Sequence, residues 1–188
     1  MKINGNEIRI GYVIEWQGRQ YTVIKANYVS PGKGGAFTQL EMRDVRGGSK
    51  TNVKVRSDET VERLHVDEKD CTYLFADGEN LTFMDTENYE QISVSKDMVG
   101  EAADFLQDGM PVTVNTIEGS PVAVNLPTSV TMAVSEADPV VRGQTAASSY
   151  KPAILENGVR VMVPPFIEKG TRIVVNIAER SYIERAKD

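Results

Sequence analysis

The stretch Ser30-Pro31-Gly32-Lys33-Gly34-Gly35-Ala36-Phe37 lies between two runs typical of β-strands, Tyr21-Thr22-Val23-Ile24 before it and Phe37-Thr38-Gln39-Leu40-Glu41-Met42 after it. A Gly/Pro cluster between β-rich runs predicts a hairpin. Proline presets its own φ, and glycine reaches backbone conformations that are closed to other residues. The predicted hairpin would therefore carry one long cationic side chain, that of Lys33, at a protruding tip.

Two other interpretations of this stretch need to be considered. A Gly-rich turn with a lysine in it is often only a turn. A phosphate-binding P-loop requires Gly, four residues, and then Gly-Lys-Ser/Thr at the start of a helix. Here Asn27 stands five residues before Gly32, Gly34 follows Lys33, and the next run resembles a strand. A nucleotide site of this kind is excluded.

Composition indicates a globular protein without a membrane span. Of the 188 residues, 40% are hydrophobic and 26% are charged, which are ordinary values for a globular chain. No apolar run approaches the twenty or so residues that span a bilayer, and the run Met1–Glu7 lacks the apolar stretch of a signal peptide. Cys71 is the sole cysteine, so no internal disulfide is possible. We expect a cytoplasmic location.

Charge is distributed unevenly along the chain. The net charge is −6, yet residues 1–63 hold 11 Lys/Arg against 7 Asp/Glu. Residues 64–127 hold 2 against 13, and residues 128–188 hold 8 against 7. Because cations favour contact with a polyanion, the first segment is the part expected to lie against nucleic-acid phosphate.

The first segment shows only short strand patterns separated by glycines, which favours a small barrel. The predicted strands are Ile8–Ile10, Val13–Trp16, Gln20–Ile24, Phe37–Met42 and Thr51–Val55.

The second and third segments look like copies of one another. At one constant offset along the chain the following pairs match: Tyr89 with Tyr150, Phe105-Leu106 with Phe166-Ile167, Gly109 with Gly170, Val112 with Ile173, and Val114 with Val175. Repeats of about sixty residues fit five-stranded oligonucleotide-binding (OB) barrels. We predict three domains, residues 1–63, 64–127 and 128–188. A short helix is predicted over Met98–Leu106, with Asp97 as its cap.

The residue types that carry catalysis or metal binding are not grouped in the sequence. His65 is the only histidine and is expected at the surface, while Cys71 and Trp16 are expected to pack in or beside a core. The middle segment's carboxylates are expected to form a solvated face: Asp67, Glu68, Asp70, Asp77, Glu79, Asp85, Glu87 and Glu90. No metal site, cofactor or enzymatic activity is predicted.

Several long runs make the chain resemble bacterial elongation factor P over essentially its full length. They are residues 1–9, Pro31–Phe37, Phe83–Gln91, Ala137–Ala146, Tyr150–Gly158 and Val163–Ile167. The resemblance implies an all-β, L-shaped protein with a tRNA-like outline. An SH3-like (KOW-type) amino-terminal domain would be followed by two OB-fold domains.

The resemblance also implies a function in translation. Proteins of this family bind the 70S ribosome between the P and E sites and relieve stalling at consecutive prolines by positioning peptidyl-tRNA. The residues Pro31, Gly32, Lys33, Gly34 and Gly35 would face the peptidyl-transferase centre. Lys33 would receive a post-translational extension, such as a β-lysyl group, from a modifying enzyme. We expect a monomer that has no membrane partner.

Two further sites follow from the same resemblance. Gly143-Gln144-Thr145 matches a Gly-Asp-Thr loop that approaches messenger RNA in the E site, with Gln144 in place of Asp. Tyr182 and Arg185 match residues that face the small subunit, although an ordinary exposed chain end would look similar. Ser30 stands where many relatives have lysine, so one positive charge is missing beside the tip.

Three alternatives to this function remain at the level of sequence. One is a paralogue, an elongation-factor-P-like protein with different stalling sequences. Another is a generic OB-fold RNA-binding protein, which is disfavoured because no aromatic cluster on a basic face is evident. The third is an enzyme, which is disfavoured because no catalytic motif is present.

Overall fold

Alternating, β-branched sequence gives three sheets and little helix. The computed structural model describes residues 1–46, 48–140 and 149–187. It divides into two compact units, Met1–Lys69 with Val114–Val124, and Asp70–Thr113 with Asn125–Asp188. The all-β prediction is confirmed. The division into residues 1–63, 64–127 and 128–188 stays a prediction.

Six strands form the first sheet, in the order β1-β6-β2-β3-β4-β5. Their bounds are β1 Lys2–Asn4, β2 Val13–Trp16, β3 Arg19–Val29, β4 Phe37–Asp44, β5 Lys50–Arg56 and β6 Thr60–Leu64. The predicted strands fall within β2 to β5, apart from Ile8–Ile10. That strand prediction is wrong, because a 3-10 helix spans Gly5–Glu7 and no strand covers Ile8–Ile10.

A hydrophobic cluster holds the first sheet together. Its buried members are Ile3, Ile8, Ile14, Val23, Leu40, Met42, Val55 and Val61. Val23, Leu40 and Met42 come from β3 and β4, so the two longest neighbouring strands are fixed along one face by this core. Burial of an aliphatic side chain of this size stabilises a fold by about 1.5–3 kcal/mol.

The remaining strands form two five-stranded sheets. The first, in the order β11-β10-β7-β8-β9, contains β7 Asp67–Asp77, β8 Asn80–Asp85, β9 Gln91–Ser95, β10 Pro111–Ile117 and β11 Ser120–Asn125. The second, in the order β14-β13-β12-β15-β16, contains β12 Ser129–Ala137, β13 Lys151–Leu155, β14 Arg160–Val163, β15 Arg172–Asn176 and β16 Ser181–Arg185.

The predicted helix exists but has other bounds. An α-helix, α1, covers Lys96–Val99, and a 3-10 helix continues over Gly100–Phe105. The cap position is Ser95 rather than Asp97, which lies inside the first turn. Gly100 has a φ of +73°, a conformation that ends an α-helix. The α-helix therefore stops well before the predicted end.

The predicted repeat is confirmed by the backbone. In the first copy the amide of Gly109 donates to Tyr73, whose own amide donates to Met110, each at 2.9 Å. In the second copy Gly170 donates to Val134 at 2.8 Å, and Val134 donates to Thr171 at 2.9 Å. Each of these residues in the second copy follows its counterpart in the first copy by the same number of residues, and that number is also the offset between the matched side chains. β-Bulges at Tyr73/Phe75 and Val134/Glu136 keep that interval.

Side chains join the Gly100–Phe105 helix to the second copy. The guanidinium of Arg180 donates to the carbonyl of Glu101 at 2.9 Å and to the Asp104 carboxylate at 3.2 Å. Its carbon also lies 5.4 Å from the centroid of the buried Phe105 ring. The Asn157 amide donates to the carbonyl of Asp104 at 2.8 Å. This polar joint helps to cover the Phe105 ring.

Candidate functional site

The predicted hairpin is confirmed, with Lys33 in its connecting loop. β3 and β4 pair antiparallel from Tyr21↔Asp44 to Val29↔Phe37, with a bulge between Val23 and Lys25. Both strands are β-branched or aromatic at many positions, which suits a pleated ladder. The two strands thus extend in regular pairing up to the loop formed by residues 30–36.

The tip of the hairpin is exposed. All five residues of Pro31–Gly35 are exposed, and the ammonium of Lys33 has neither an ion-pair nor a hydrogen-bond partner among the described residues. Gly34 has a φ of +94°, so an L side chain would be strained there. Gly32 and Gly35 do not have a positive φ, and a Cβ added to either would meet open space. Only Gly34 is therefore required by the backbone itself.

The carboxyl-terminal end of the loop is tied to the body of its unit. The Thr38 hydroxyl is buried and donates to the carbonyl of Gly5 at 2.9 Å. A Cβ on Gly5 would clash with the carbonyl oxygen of Arg56, so only glycine allows this close approach. The amide of Ser57 donates to the carbonyl of Ala36 at 3.0 Å. These contacts fix the loop's carboxyl-terminal end.

One face of the hairpin is polar and cationic. Register places Asn27 beside Gln39 and Lys54, and Lys25 beside Glu41 and Asn52. Lys25 and Lys50 lie 3.4 Å and 3.7 Å from the Glu41 carboxylate. Lys54 lies 5.1 Å above the Phe37 ring. Exposed amides and ammonium groups in adjacent rows are suited to contact phosphates without reading sequence.

The opposite face of the hairpin is more apolar. An open groove of about 790 Å³ is lined by Asn6, Ile8, Arg9, Ile10, Ala26, Tyr28 and Thr38. Ile10 and Tyr28 are 67% and 57% exposed. The alternation of β3 explains the difference between the faces, because Lys25 and Asn27 point to one side and Ala26 and Tyr28 to the other.

A second surface forms around Tyr182 and Arg185 on β16. The ring of Tyr182 meets Tyr150 edge to face, with 6.4 Å between centroids and 87° between planes. The guanidinium of Arg185 lies 5.1 Å from the Phe166 centroid. Partial burial is the main cause of a raised pKa at the Tyr182 hydroxyl. We call Tyr150, Phe166, Tyr182 and Arg185 the aromatic cluster.

No aromatic cluster on a basic face is evident in the sequence, whereas the structure places Tyr150 beside Tyr182 and Phe166 beside Arg185. In the sequence, Tyr150 and Phe166 stand out only as repeat partners of Tyr89 and Phe105. They are well separated in the chain from Tyr182 and Arg185, so local pattern does not predict either contact. The third predicted site, Gly143, Gln144 and Thr145, lies outside the described residues.

The remaining candidate residues are accounted for by packing and surface contacts. His65 is exposed and 3.0 Å from Asp67, Cys71 is buried, and Trp16 packs against the core of its unit. The interpretation of the acidic residues as a solvated face is wrong for Asp85, which is 5% exposed and accepts from the amide of Glu87 at 2.8 Å. In the described part of the chain, no three His, Cys, Asp or Glu side chains lie together as metal ligands.

Models of one family match nearly the whole chain. The elongation factor P KOW-like domain matches residues 4–61, the elongation factor P OB domain matches residues 66–124, and the elongation factor P carboxyl-terminal domain matches residues 130–185. Together with the sheets, these matches confirm the predicted order of an SH3-like domain followed by OB-fold domains.

Full-length relatives support the same conclusion. The chain is 60% identical over 187 residues to elongation factor P of Rhodospirillum rubrum. It is 56% identical over 188 residues to that of Rhodospirillum centenum. In both cases the alignment covers 100% of each chain. The elongation factor P of Brucella canis is 56% identical, over 99% of this chain and 100% of its own.

Two solved structures share the fold at low sequence identity. Eukaryotic translation initiation factor 5A from Methanococcus jannaschii aligns with a TM-score of 0.57 and 20% identity, over 66% of this chain and 93% of its own. A translation initiation factor 5A family protein from Naegleria fowleri aligns with a TM-score of 0.52 and 14% identity, over 67% of this chain and 98% of its own.

In the described residues no helix has the length and hydropathy of a membrane span.

Proposed function

Because this chain belongs to the elongation factor P family of translation elongation factors, we propose that it acts on the 70S ribosome through Lys33. In this proposal it binds between the P and E sites, as a cytoplasmic monomer, and promotes peptide-bond formation at consecutive prolines. Lys33 carries an extension, for example a β-lysyl group, that a modifying enzyme attaches. The chain itself holds no cofactor and performs no proton transfer.

The observation that carries the proposal is the isolation of the Lys33 ammonium at the tip of an anchored hairpin. No described residue neutralises it, and the residues on either side of it are exposed glycines. Both a modifying enzyme and an RNA end could therefore approach the side chain. The paired strands and the Thr38–Gly5 contact hold the two ends of the loop. Lys33 is therefore presented from a fixed position on its unit.

Positioning is the physical basis of the proposed activity. Proline is a constrained donor and acceptor, since its ring fixes φ and its amine is secondary. A cationic arm against the terminal phosphates and sugars of peptidyl-tRNA would reduce the freedom of the reacting end. Holding two reactants in a reactive geometry can lower a barrier by up to about 7–11 kcal/mol in ideal cases.

The polar face of the hairpin supports contact with RNA beside the tip. Lys25, Lys50 and Lys54 lie on β3 and β5, and the amides of Asn27 and Gln39 lie between them. Side chains of these types position a protein on phosphates without sequence preference. Gly143, Gln144 and Thr145 are proposed to contact messenger RNA, and Tyr182 and Arg185 are proposed to contact the small subunit.

Translation of a polyproline reporter tests the proposal. Substitution Lys33→Ala should slow synthesis through Pro-Pro-Pro at least tenfold more than synthesis through a proline-free message, because only the paused step needs the cationic arm. Arg19→Ala is the matched control on the same hairpin, since Arg19 lies at the end of β3 away from the loop and its guanidinium is 3.6 Å from the Asp44 carboxylate. Both variants should retain the wild-type unfolding transition.

Two results would contradict the proposal. Equal slowing of both messages by Lys33→Ala would indicate a general defect rather than a role at prolines. Full activity of native protein whose Lys33 carries no added mass, as measured by peptide mass spectrometry, would remove the need for an extension.

A further inference from the structure

We propose that the aromatic cluster is a stacking surface for unpaired RNA bases, with Tyr150 and Phe166 as binding residues alongside Tyr182 and Arg185. The proposal deepens the proposed function and rests on it, because a factor acting on the ribosome meets RNA as its main macromolecular partner. It adds two residues and a chemical class of ligand, the exposed face of an unpaired base.

A β-bulge brings Tyr182 and Arg185 to the same face of the sheet. In a regular strand, residues three apart point to opposite faces. Here Tyr182 pairs with Val175 and Arg185 with Ile173, while the register shift between Val174 and Val175 leaves Ile183 as the extra residue. Bulges of this kind re-aim side chains next to functional sites. By the same register Glu184, opposite Val174, points to the other face.

Two rings of the cluster remain half exposed although each contacts one other member of the cluster. Tyr150 is 54% exposed and Phe166 is 51% exposed. Tyr182 supports Tyr150 edge to face at 6.4 Å, and Arg185 covers part of Phe166 at 5.1 Å. Such contacts orient each ring while leaving area for another flat group. Aromatic rings and guanidinium planes are the groups on which unpaired bases stack.

Charge favours RNA over an apolar protein segment as the occupant. The four side chains carry one positive charge, that of Arg185, and the neighbouring Glu184, whose charge also reaches the Tyr182 hydroxyl, points to the other face. A guanidinium donates to phosphate and also stacks on a ring, so one residue can serve both parts of a nucleotide. The middle segment, with 2 Lys/Arg against 13 Asp/Glu, offers no comparable surface to a polyanion.

Binding of short RNAs to the full chain tests the proposal. The probes are a fluorescein-labelled uridine octamer and an RNA hairpin with a blunt stem and no unpaired 3′ end, measured by anisotropy at low salt. Substitutions Tyr150→Ala and Phe166→Ala should each weaken octamer binding about 5-fold to 150-fold, which is the range for loss of one base–aromatic stack. Tyr150→Phe should bind within about twofold of wild type, since the ring remains.

Met162→Ala is the matched control, because Met162 is 47% exposed on β14 in the same sheet but is not part of the cluster. It should bind the octamer like wild type, and the stem should bind more weakly than the octamer. Crosslinking with 5-bromouridine in the octamer should attach RNA to Tyr150, Phe166 or Tyr182 by mass spectrometry.

Three outcomes would overturn the proposal: no octamer binding by the wild-type chain, equal binding by the alanine variants, or equal weakening by Met162→Ala. When the chain is bound to the ribosome, a photoreactive side chain introduced in place of Ile183 should crosslink to RNA. Crosslinking to protein alone would also overturn the proposal, because it would assign the surface to a protein partner. The two readouts separate this proposal from the previous one, because octamer binding by the Tyr150 and Phe166 variants is measured without a ribosome, whereas the effect of Lys33→Ala is measured as relief at prolines during translation.

Discussion

The two copies of the repeat place equivalent aromatic residues in opposite environments. Phe105 and Phe166 occupy matching positions, and each has an arginine near the carboxyl end of the chain over its ring, Arg180 at 5.4 Å and Arg185 at 5.1 Å. Yet Phe105 is fully buried and Phe166 is 51% exposed. Within the second copy it is Ile167, the next residue, that is fully buried.

The difference shows how one backbone supports two uses of the same residue type. Hydrogen bonds and bulges repeat at a fixed offset in the two copies. The backbone pairing is therefore the same whether the aromatic or the aliphatic residue of Phe105-Leu106 and Phe166-Ile167 faces the core. In the first copy the aromatic ring packs inward and stabilises the fold. In the second copy the aliphatic residue takes that place, and the ring stays half exposed.

Removal of the phenyl ring should give the largest difference in stability between the two copies. Phe105→Ala should lower the free energy of unfolding by about 3–5 kcal/mol, because it empties a fully buried site. Phe166→Ala should lower it by less than about 1 kcal/mol, since half the ring is already in water. Urea unfolding followed by far-ultraviolet circular dichroism measures both. Similar losses for the two variants would mean that Phe166 is also a core residue.

Substitution of the equivalent turn glycines should instead cost the two copies similar amounts of stability. Gly109 and Gly170 have φ of +80° and +90°, and neither has a neighbour within 4 Å of an added Cβ. Alanine at either position should therefore cost about 1–2 kcal/mol from backbone strain alone. Gly32→Ala, with neither positive φ nor crowding, is the control and should cost close to nothing. Costs at Gly109 and Gly170 that differ by more than about 1 kcal/mol would argue against a shared backbone.

Much of the fold could be predicted because its signals are local. The hairpin around Lys33 follows from one Gly/Pro cluster between β-rich runs, and the repeat follows from a constant spacing. The error at Ile8–Ile10 has one distant cause and one local cause. Gly5 approaches the Arg56 carbonyl, and the Asn4 amide donates to the Glu7 carboxylate at 2.9 Å. These contacts favour a 3-10 turn over the strand that the apolar spacing suggested.

The candidate sites divide in the same way. Lys33 and its glycines could be found from sequence, because the tip is a continuous segment. The aromatic cluster could not, because its contacts, Tyr150 with Tyr182 and Phe166 with Arg185, join residues that are distant in the chain and depend on the bulge in β16. The joint made by Arg180 was also missed, since its partners Glu101 and Asp104 lie 79 and 76 residues away.

Cryo-electron microscopy of a ribosome paused between two prolines, with the native chain bound, is the decisive test of the role of Lys33. We predict that the Lys33 side chain and its extension contact the 3′ end of the peptidyl-tRNA, with the cationic face of the hairpin along the acceptor stem. A bound chain whose hairpin tip lies in bulk solvent, away from that 3′ end, would contradict the proposed function.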